Sequence, residues 1–397
     1  MKAPAPRRLW HSVTRCLRLR SYLREPGDGR RQPQIAARGL VWALLICRLL
    51  REPSLPAVEP LVRSRVGRAL GGPAWFGDEA LGYFTERLQA APTRAALLRV
   101  IRRAKRHKAF DNGRFIGLAI DGTCAGRSGR PECALCRPVR NAKKEVMGYR
   151  HPWVASSVVG AGLSLPFDVE PYGPGDSAYT AGQRLLARAA QGWGPRFADY
   201  WAVDGNFATA PFLHAAGRAG WPGVARLKEN LPEFRAAVEK RFSTQPPARA
   251  YRDRQDRVEI WDADDFAPWE TLPGESVRVI RYRQHQPDGT VVQADGLTHF
   301  PTRRGGGLAL YHRAKSRWEI QNQGCNDVKN RYGIEPICHP EAHRILVNGL
   351  LTFLSLLIER FYRIRDLPRG TPPVQSAEQL CRLLWLGLSR PPAPGTS

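Results

Sequence analysis

Two short stretches decide the fold of this chain: FIGLAIDG at residues 115–122 and YWAVDG at residues 200–205. Each is an apolar run rich in β-forming residues and closed by Asp-Gly, so each predicts a buried strand that ends at an aspartate. A carboxylate at a strand end is held rigidly, and a glycine after it leaves room for a large ligand. Asp121 and Asp204 are therefore candidate site residues, although a single Asp-Gly of this kind is more often an ordinary turn.

The pattern around these stretches alternates between strand and helix. Further strands are predicted at residues 153–160, 163–169 and 223–227, and helices at residues 178–191, 212–219 and 233–242. This alternation is typical of an α/β domain. Residues 245–312 break it: positions 251–300 hold 10 of the 36 carboxylates, and period-two stretches flank a Pro-Asp-Gly turn, which predicts a β-rich insertion. Helical periodicity resumes near Ser316, pauses at residues 333–340 and continues to residue 363.

The charge of the chain indicates an anionic partner. Its 397 residues carry 61 Lys and Arg against 36 Asp and Glu, a net charge of +25, and residues 1–110 hold 23 of the bases and 7 of the acids. Such a balance is typical of proteins that bind a polyanion. Residues 97–108, LLRVIRRAKRHK, predict a basic helix whose Arg102, Arg103, Lys105 and Arg106 contact DNA phosphates; the alternative is a solvated basic helix face.

Several classes of protein are excluded by composition. The longest strongly apolar run, residues 345–358, is shorter than a bilayer requires, so no membrane partner is expected. The N-terminus is rich in arginine and lacks the apolar core of a signal peptide. Eight cysteines in 397 residues do not form a disulfide framework. These observations predict a cytoplasmic protein with reduced thiols and a tail, residues 391–397, that is frayed.

A third motif carries a resemblance to a known family. Residues 317–326 read RWEIQNQGCN, with Lys329-Asn330 following. Together with the two aspartates, this resembles the insertion-sequence DDE transposases, in particular the type with a β-rich insertion between the second Asp and the Glu. The resemblance runs from about residue 116 to residue 363 and includes YRH at residues 149–151 and VEPYGPGD at residues 169–176.

The resemblance implies an α/β fold with an RNase H-like catalytic core. That core is interrupted by the β-rich insertion and preceded by an all-helical basic region. The expected divisions are a DNA-binding region at residues 1–112, the first part of the core at 113–244, the insertion at 245–312, the C-terminal helical part of the core at 313–366 and a tail at 367–397.

The resemblance also implies an activity, which is metal-dependent phosphodiester hydrolysis and strand transfer at transposon ends. Asp121 and Asp204 match the first two catalytic carboxylates and would hold two Mg²⁺ or Mn²⁺ ions. Arg317 and Lys329 would contact DNA. The implied partners are double-stranded DNA, both element ends and target, and a second copy of the chain in a homodimer on DNA. The implied location is a bacterial-type cytosol, at the nucleoid.

One position departs from the family pattern. The catalytic Glu of the family follows Arg by four positions, and from Arg317 this spacing reaches Gln321. The nearest carboxylate, Glu319, is two residues earlier, about 200° away on a helix. Impaired or absent catalysis with Gln321 in place is the first interpretation, and use of Glu319 through a local bulge is the second. The alternative function is therefore a catalytically inactive, transposase-derived DNA-binding protein.

The cysteines suggest a second site. Cys124, Cys133 and Cys136 form C-x8-C-x2-C shortly after Asp121, and a Cys-x2-Cys pair in a loop is a fair half-site for structural zinc. The fourth ligand is left open among His151, Cys325, and Cys338 with His339 and His343. The alternative is a loop of reduced thiols beside DNA.

Overall fold

The computed structural model describes most of the chain. The described residues are 9, 12–52, 54–63, 76–108, 110, 115–160, 162, 164–269, 276–300, 302, 305–332, 340–363 and 376–389. The predicted pause at residues 333–340, apart from Pro340, and the predicted frayed tail at residues 391–397 lie outside them.

One mixed sheet organises the fold, which is α/β as the sequence predicts. Its central strands are β1 (Gly117–Ser128), β3 (Val146–Val159), β4 (Leu165–Pro171), β5 (Tyr200–Val203) and β6 (Gly223–Arg226). They lie side by side in the order β4-β3-β1-β5-β6. The first three pair antiparallel, whereas β5 runs parallel to β1 and β6 parallel to β5. A four-residue strand, β2 (Arg137–Arg140), pairs with the N-terminal half of β3 and forms a hairpin with it.

Four antiparallel strands extend this sheet beyond β6. They are β7 (Arg249–Asp253), β8 (Asp256–Phe266), β9 (Val277–His285) and β10 (Val291–Thr298), joined in the order β6-β10-β9-β8-β7. The turn at Pro287-Asp288-Gly289 connects β9 to β10, and Gly289 adopts φ +83°, a conformation that glycine adopts without strain. The predicted β-rich segment therefore continues the main sheet from its β6 edge.

Helices precede and cover the sheet. The N-terminal ones are α1 (Leu19–Tyr22), α2 (Ala37–Leu49), α3 (Leu55–Arg63), α4 (Asp78–Arg87) and α5 (Ala90–Arg106). Three more alternate with the strands: α6 (Ala178–Trp193), α7 (Ala210–Arg218) and α8 (Pro232–Ser243). After the sheet come α9 (Gly307–Ser316), α10 (Asn326–Tyr332), α11 (Ala342–Phe361) and α12 (Ala377–Ser389). A π-helical turn, Ile320–Cys325, lies between α9 and α10.

Helix α11 is the main hydrophobic core helix. It packs against β4 and against α2 and α5, and its apolar side chains are almost all buried. By length and composition it could cross a membrane, the one such helix among the described residues, but 78% of its most apolar window is buried inside the protein. The run at residues 345–358, which the sequence makes too short for a bilayer, thus belongs to a helix of 20 residues whose apolar character the core explains.

Candidate functional site

The two Asp-Gly aspartates lie side by side in the sheet. Strand β1 pairs in parallel with β5, with Gly117 opposite Tyr200 and Ile120 opposite Val203. The next residue on each strand is Asp121 or Asp204, and neighbouring strands are about 4.8 Å apart. Repulsion by the Asp204 carboxylate contributes to raising the pKa of Asp121, so the two charges interact.

Asp121 differs from the prediction that it ends a strand. Asp204 directly follows β5, but Asp121 is the fifth residue of the twelve-residue β1 and pairs with Ala155 of β3. Pairing with β3 carries β1 on to Ser128, whereas pairing with β5 stops at Ile120. The edge of β1 beyond its pairing with β5 therefore begins at Asp121.

The two glycines after these aspartates have different surroundings. A Cβ on Gly122 would meet no atom within 4 Å, so the space beside it is open. A Cβ on Gly205 would lie 2.6–2.8 Å from the side-chain carbons of Lys228. The prediction that glycine leaves room for a ligand therefore fits Gly122, while Gly205 leaves room for a lysine of the protein itself.

Each carboxylate has a cationic partner. Nη1 of Arg317 donates to Oδ2 of Asp121 at 2.8 Å, and Nζ of Lys228 donates to Oδ2 of Asp204 at 2.6 Å. Burial raises the pKa of Asp121, since the Arg317 guanidinium offsets only part of the cost of desolvation. Burial also opposes ionisation of Asp204, but Lys228 and Arg317 outweigh it and hold the pKa of that carboxyl below its ordinary value. Arg317 and Lys228 therefore stabilise the ionised form of both aspartates, in part at Asp121 and fully at Asp204.

Gln321 and Glu319 face different parts of the sheet. The Gln321 amide hydrogen-bonds to Asp121 and helps to lower its pKa, so it donates to the carboxylate. Oε2 of Glu319 instead accepts from the backbone N–H of Gly160 at 2.9 Å. Gly160 follows Val159, which pairs with Gly117, four residues and roughly 13 Å along β1 from Asp121. Gln321 is thus the third side chain of the site.

The segment that carries Gln321 is fastened on two sides. Oε1 of Gln323 accepts from the backbone N–H of Ser164 at 3.0 Å, and a Cβ on Gly324 would lie 2.9 Å from Oγ of Ser164. From the core helix, the buried Arg360 donates to the backbone carbonyl of Gln323 and, at 2.9 Å, to Oδ2 of Asp327. These contacts span the π-helical turn, a feature that is frequent at functional sites.

Lys329, a predicted DNA contact, lies at the edge of this group. Its Nζ is 3.6 Å from Sγ of Cys124. Cys325 is close by: its thiol interacts with Thr123, and burial raises its pKa to about 11. The Cys325 thiol is therefore protonated at neutral pH. It lies near Asp121, Cys124 and Lys329.

The basic residues of α5, which are predicted to contact DNA, also make contacts within the protein. The Arg102 guanidinium donates to the backbone carbonyl of Gly192, and Nζ of Lys105 donates to that of Phe197. Arg103 is bonded to the carbonyl of Arg15 at 3.4 Å, while Arg106 is exposed. Arg102 and Lys105 thus serve to pack α5 against the end of α6 and the loop that follows, because the last turn of α6 leaves carbonyls in need of donors.

The predicted cysteine group differs in one member. Sγ of Cys133 lies 3.5 Å from Sγ of Cys136 and 3.0 Å from Nδ1 of His151. The three ligand atoms lie within 4.8 Å of one another. His151 is one of the candidate ligands that the sequence offers beside the cysteines, whereas Cys124 is not in this group and lies beside Lys329. Burial lowers the pKa of His151 to about 4, so its ring is neutral at pH 7.

Two contributors to the aspartate site were missed by sequence reasoning. Lys228 lies two residues after the end of β6, and β6 is the strand next to β5. The available signal was a basic residue just after the strand that follows Asp204 in the chain. Arg360 lies in an apolar helix, where an arginine buried to 2% exposure marks a polar contact that the core must satisfy. Neither signal shows which residue the Lys228 or Arg360 side chain contacts, because that depends on how the strands and helices pack.

The chain was compared with protein families, curated proteins and solved structures. No family model and no curated protein matches the chain. The chain is similar to a structure described as the cryo-EM structure of a piggyBac transposase synaptic complex with hairpin DNA. The TM-score is 0.46 with 12% sequence identity, over 97% of this chain and 80% of that one. A likeness of this size establishes neither the family nor the activity of this chain.

Proposed function

We propose that the chain is a DNA transposase of the DDE type that cleaves and joins phosphodiesters at element ends, with activity impaired by Gln321. The observation that carries the proposal is the convergence of Asp121, Asp204 and Gln321 at one point of the sheet. These side chains come from two parallel strands and a distant helix, at the positions that the resemblance implies. Three antiparallel strands followed by two parallel ones support the RNase H-like core, with β7–β10 as the insertion.

The donor set fits a divalent cation. Carboxylate and amide oxygens are the ligands that Mg²⁺ and Mn²⁺ take. Asp121 and Asp204 would hold the ion, with Oε1 of Gln321 as a neutral third donor. When bound, such ions neutralise charge at a phosphodiester under attack. A second ion would rely on phosphate oxygens of the DNA, because two carboxylates and one amide leave few protein donors.

The protein's own residues hold this site in shape. Arg317 neutralises Asp121 and fixes the helical segment against β1, and Lys228 holds Asp204 in a fixed orientation. The open space at Gly122 leaves room for a DNA strand beside Asp121. The ammonium of Lys228, which is partly exposed, favours approach of a phosphate, because lysine is one of the residues that proteins use for phosphate contacts.

DNA is the proposed partner because of the charge of the whole chain. A net charge of +25 would favour sequence-independent phosphate binding. Residues 1–112, with Arg102, Arg103, Lys105 and Arg106 in α5, are proposed to bind DNA, and Lys329 to contact it beside the site. Assembly as a homodimer on DNA and a location at the bacterial nucleoid belong to the same proposal.

A second function is favoured by one observation. The third side chain of the site is an amide, and Arg317 and Lys228 together balance the charges of the two aspartates. A site that is already neutral has less need of a divalent cation. This favours a DNA-binding protein that keeps the transposase fold but does not cleave.

One experiment separates the two functions. The full-length protein is incubated with Mn²⁺ and plasmid DNA that carries the sequences flanking its gene, and nicking and joining are followed on gels. Cleavage that is lost in Asp121→Asn and in Asp204→Asn, but kept in the control Asp288→Asn at the exposed turn, supports the transposase. Salt-sensitive DNA binding without cleavage supports the second function. Cleavage that survives both site substitutions contradicts the assignment of the aspartates, and absence of DNA binding contradicts both functions.

A further inference from the structure

The loop between β1 and β2 and the middle of β3 bring two sulfurs and one imidazole nitrogen together. Sγ of Cys133 is 3.5 Å from Sγ of Cys136 and 3.0 Å from Nδ1 of His151. In a tetrahedral zinc site, bonds of about 2.3 Å to sulfur and 2.0–2.1 Å to nitrogen place two sulfurs roughly 3.8 Å apart and sulfur and nitrogen roughly 3.5 Å apart. The two separations that involve Cys133 are shorter than these values by about 0.3 and 0.5 Å, and all three ligand atoms lie within 4.8 Å of one another, so small side-chain shifts would bring them to the separations that one zinc ion imposes.

We propose that Cys133, Cys136 and His151 bind one Zn²⁺, with a water molecule as the fourth ligand, and that this ion fastens the β1–β2 loop to β3. The site is separate from the aspartates. Its two thiolates select zinc over the hard cations that carboxylates bind. Binding releases the two thiol protons to solvent and leaves the ring of His151 neutral.

Hydrogen bonding within the protein does not account for this cluster. His151 is fully buried, and among the described residues its Nε2 has no hydrogen-bond partner. Thiols are weak donors, so a buried imidazole that faces only sulfur is poorly compensated. A zinc ion at Nδ1 supplies a strong interaction at the nitrogen that faces the two sulfurs. Cys133 is only partly buried, which leaves the water position open to solvent.

The ion would add to the contacts that hold this loop, where the Arg137 guanidinium already donates to the backbone carbonyls of Gly173 and Asp176. Cys133 and Cys136 are joined by a turn in which the N–H of Cys136 donates to the carbonyl of Cys133 at 3.0 Å. Strand β2 follows at once and is only four residues long. Beyond it, the β2–β3 hairpin exposes basic side chains together with Met147, which is 68% exposed. A zinc ion that joins the start of this hairpin to His151 would fix the orientation of the hairpin relative to the sheet.

Zinc stoichiometry and cobalt spectra test the site on the full-length protein, independently of any DNA reaction. The protein is stripped with a chelator under reducing conditions and titrated with ZnCl₂ or CoCl₂. We expect one zinc per chain and, with cobalt, the thiolate charge-transfer and intense visible bands of tetrahedral coordination. Cys136→Ser and His151→Asn should each weaken zinc binding at least tenfold, whereas the control Cys124→Ser should bind as the original protein does.

Limited trypsin digestion tests the role of the ion. The bonds after Arg127 and Arg140, neither of which precedes a proline, should be cut several-fold faster in the stripped protein than in the zinc-loaded protein, with the same contrast in Cys124→Ser. Because the comparison is made on one unsubstituted chain, a variant that fails to fold does not affect it. The proposal is overturned if the intact protein binds less than one zinc per chain, if Cys124→Ser removes binding, if the two thiols form a disulfide under reducing conditions, or if zinc leaves the digestion rate unchanged.

Discussion

Arg317 and Asp121, 196 residues apart in sequence, form a buried ion pair with 2.8 Å between Nη1 and Oδ2. The helical segment that holds Arg317 also holds Gln321, so the pair fixes the distance of Gln321 from the sheet. A buried charge that loses its partner is strongly destabilising, which keeps the segment in place before any ligand binds. The site is therefore preformed, and a single change within it should alter chemistry with little rearrangement.

Gln321→Glu should raise Mn²⁺-dependent DNA cleavage. The substitution adds a third carboxylate beside Asp121 with no change of side-chain length, and a charged oxygen binds a hard cation better than an amide oxygen does. A gain on the order of tenfold, about 1.4 kcal/mol of barrier, is expected. Without divalent ions the same substitution should lower the free energy of unfolding, because the new charge repels Asp121, and Mn²⁺ should restore it.

Glu319→Gln is the matched control for this prediction. Its amide oxygen can still accept the hydrogen bond from Gly160, and the position faces away from Asp121, so cleavage should not change. An unchanged rate in Gln321→Glu together with loss of cleavage in Glu319→Gln would show instead that Glu319 is the working ligand.

The sequence predicts the meeting of Asp121 and Asp204 because both follow apolar runs that can pair in parallel. It points to Gln321 through the resemblance alone, in which the catalytic Glu follows Arg by four positions. It does not predict that β1 continues past Asp121, since that depends on pairing with β3. Where a strand ends depends on its pairing with the strands on both sides, and the residues of the strand itself do not show how far each neighbour extends.

The absence of Cys124 from the group of Cys133, Cys136 and His151 has a similar cause. Strand pairing shifts register between Cys124 and Gly126, opposite Pro152 and His151. A bulge adds a residue to one strand and re-aims the side chains around it, so spacing along the chain no longer tells which side chains share a face. Lys228 was missed for a related reason, because its contact with Asp204 requires the parallel pairing of β5 with β6.

Gly205→Ala should destabilise the protein, whereas Gly122→Ala should not. A Cβ on Gly205 would displace Lys228 and break its 2.6 Å bond to Asp204, at a cost of about 1–2 kcal/mol. Gly122 has open space, and alanine there removes conformational freedom from the unfolded chain. Urea unfolding of the two variants measures the difference. Equal unfolding midpoints for the two variants would mean that Lys228 can keep its position when residue 205 carries a Cβ.

Gly349→Ala should be among the more damaging substitutions in the core. A Cβ at this position of α11 would lie 2.4 Å from Cη2 of the buried Trp153, so the helix must move away from β3. Overpacking of this kind costs roughly 1–3 kcal/mol. Gly217→Ala is the control, because it is also helical and its Cβ meets no atom within 4 Å. That variant should gain about 0.5–1 kcal/mol, and a loss there equal to the loss in Gly349→Ala would exclude the packing explanation.

Glu359→Gln should stabilise the protein more at pH 8 than at pH 5. Burial raises the pKa of Glu359 above 4.5, although Arg363 and Arg360 oppose this, so the folded state holds its proton to higher pH than the unfolded chain does. The original protein then loses stability as the pH rises from 4.5 through the folded pKa, by about 1.4 kcal/mol for each pH unit by which burial has raised it. The glutamine does not titrate and still accepts from the Tyr332 hydroxyl, which is 3.2 Å from Oε2 of Glu359. Urea unfolding at pH 5 and pH 8 gives the free energy of unfolding of both proteins. If the advantage of Glu359→Gln over the original protein stays constant or shrinks toward pH 8, Glu359 is ionised in the folded protein without cost.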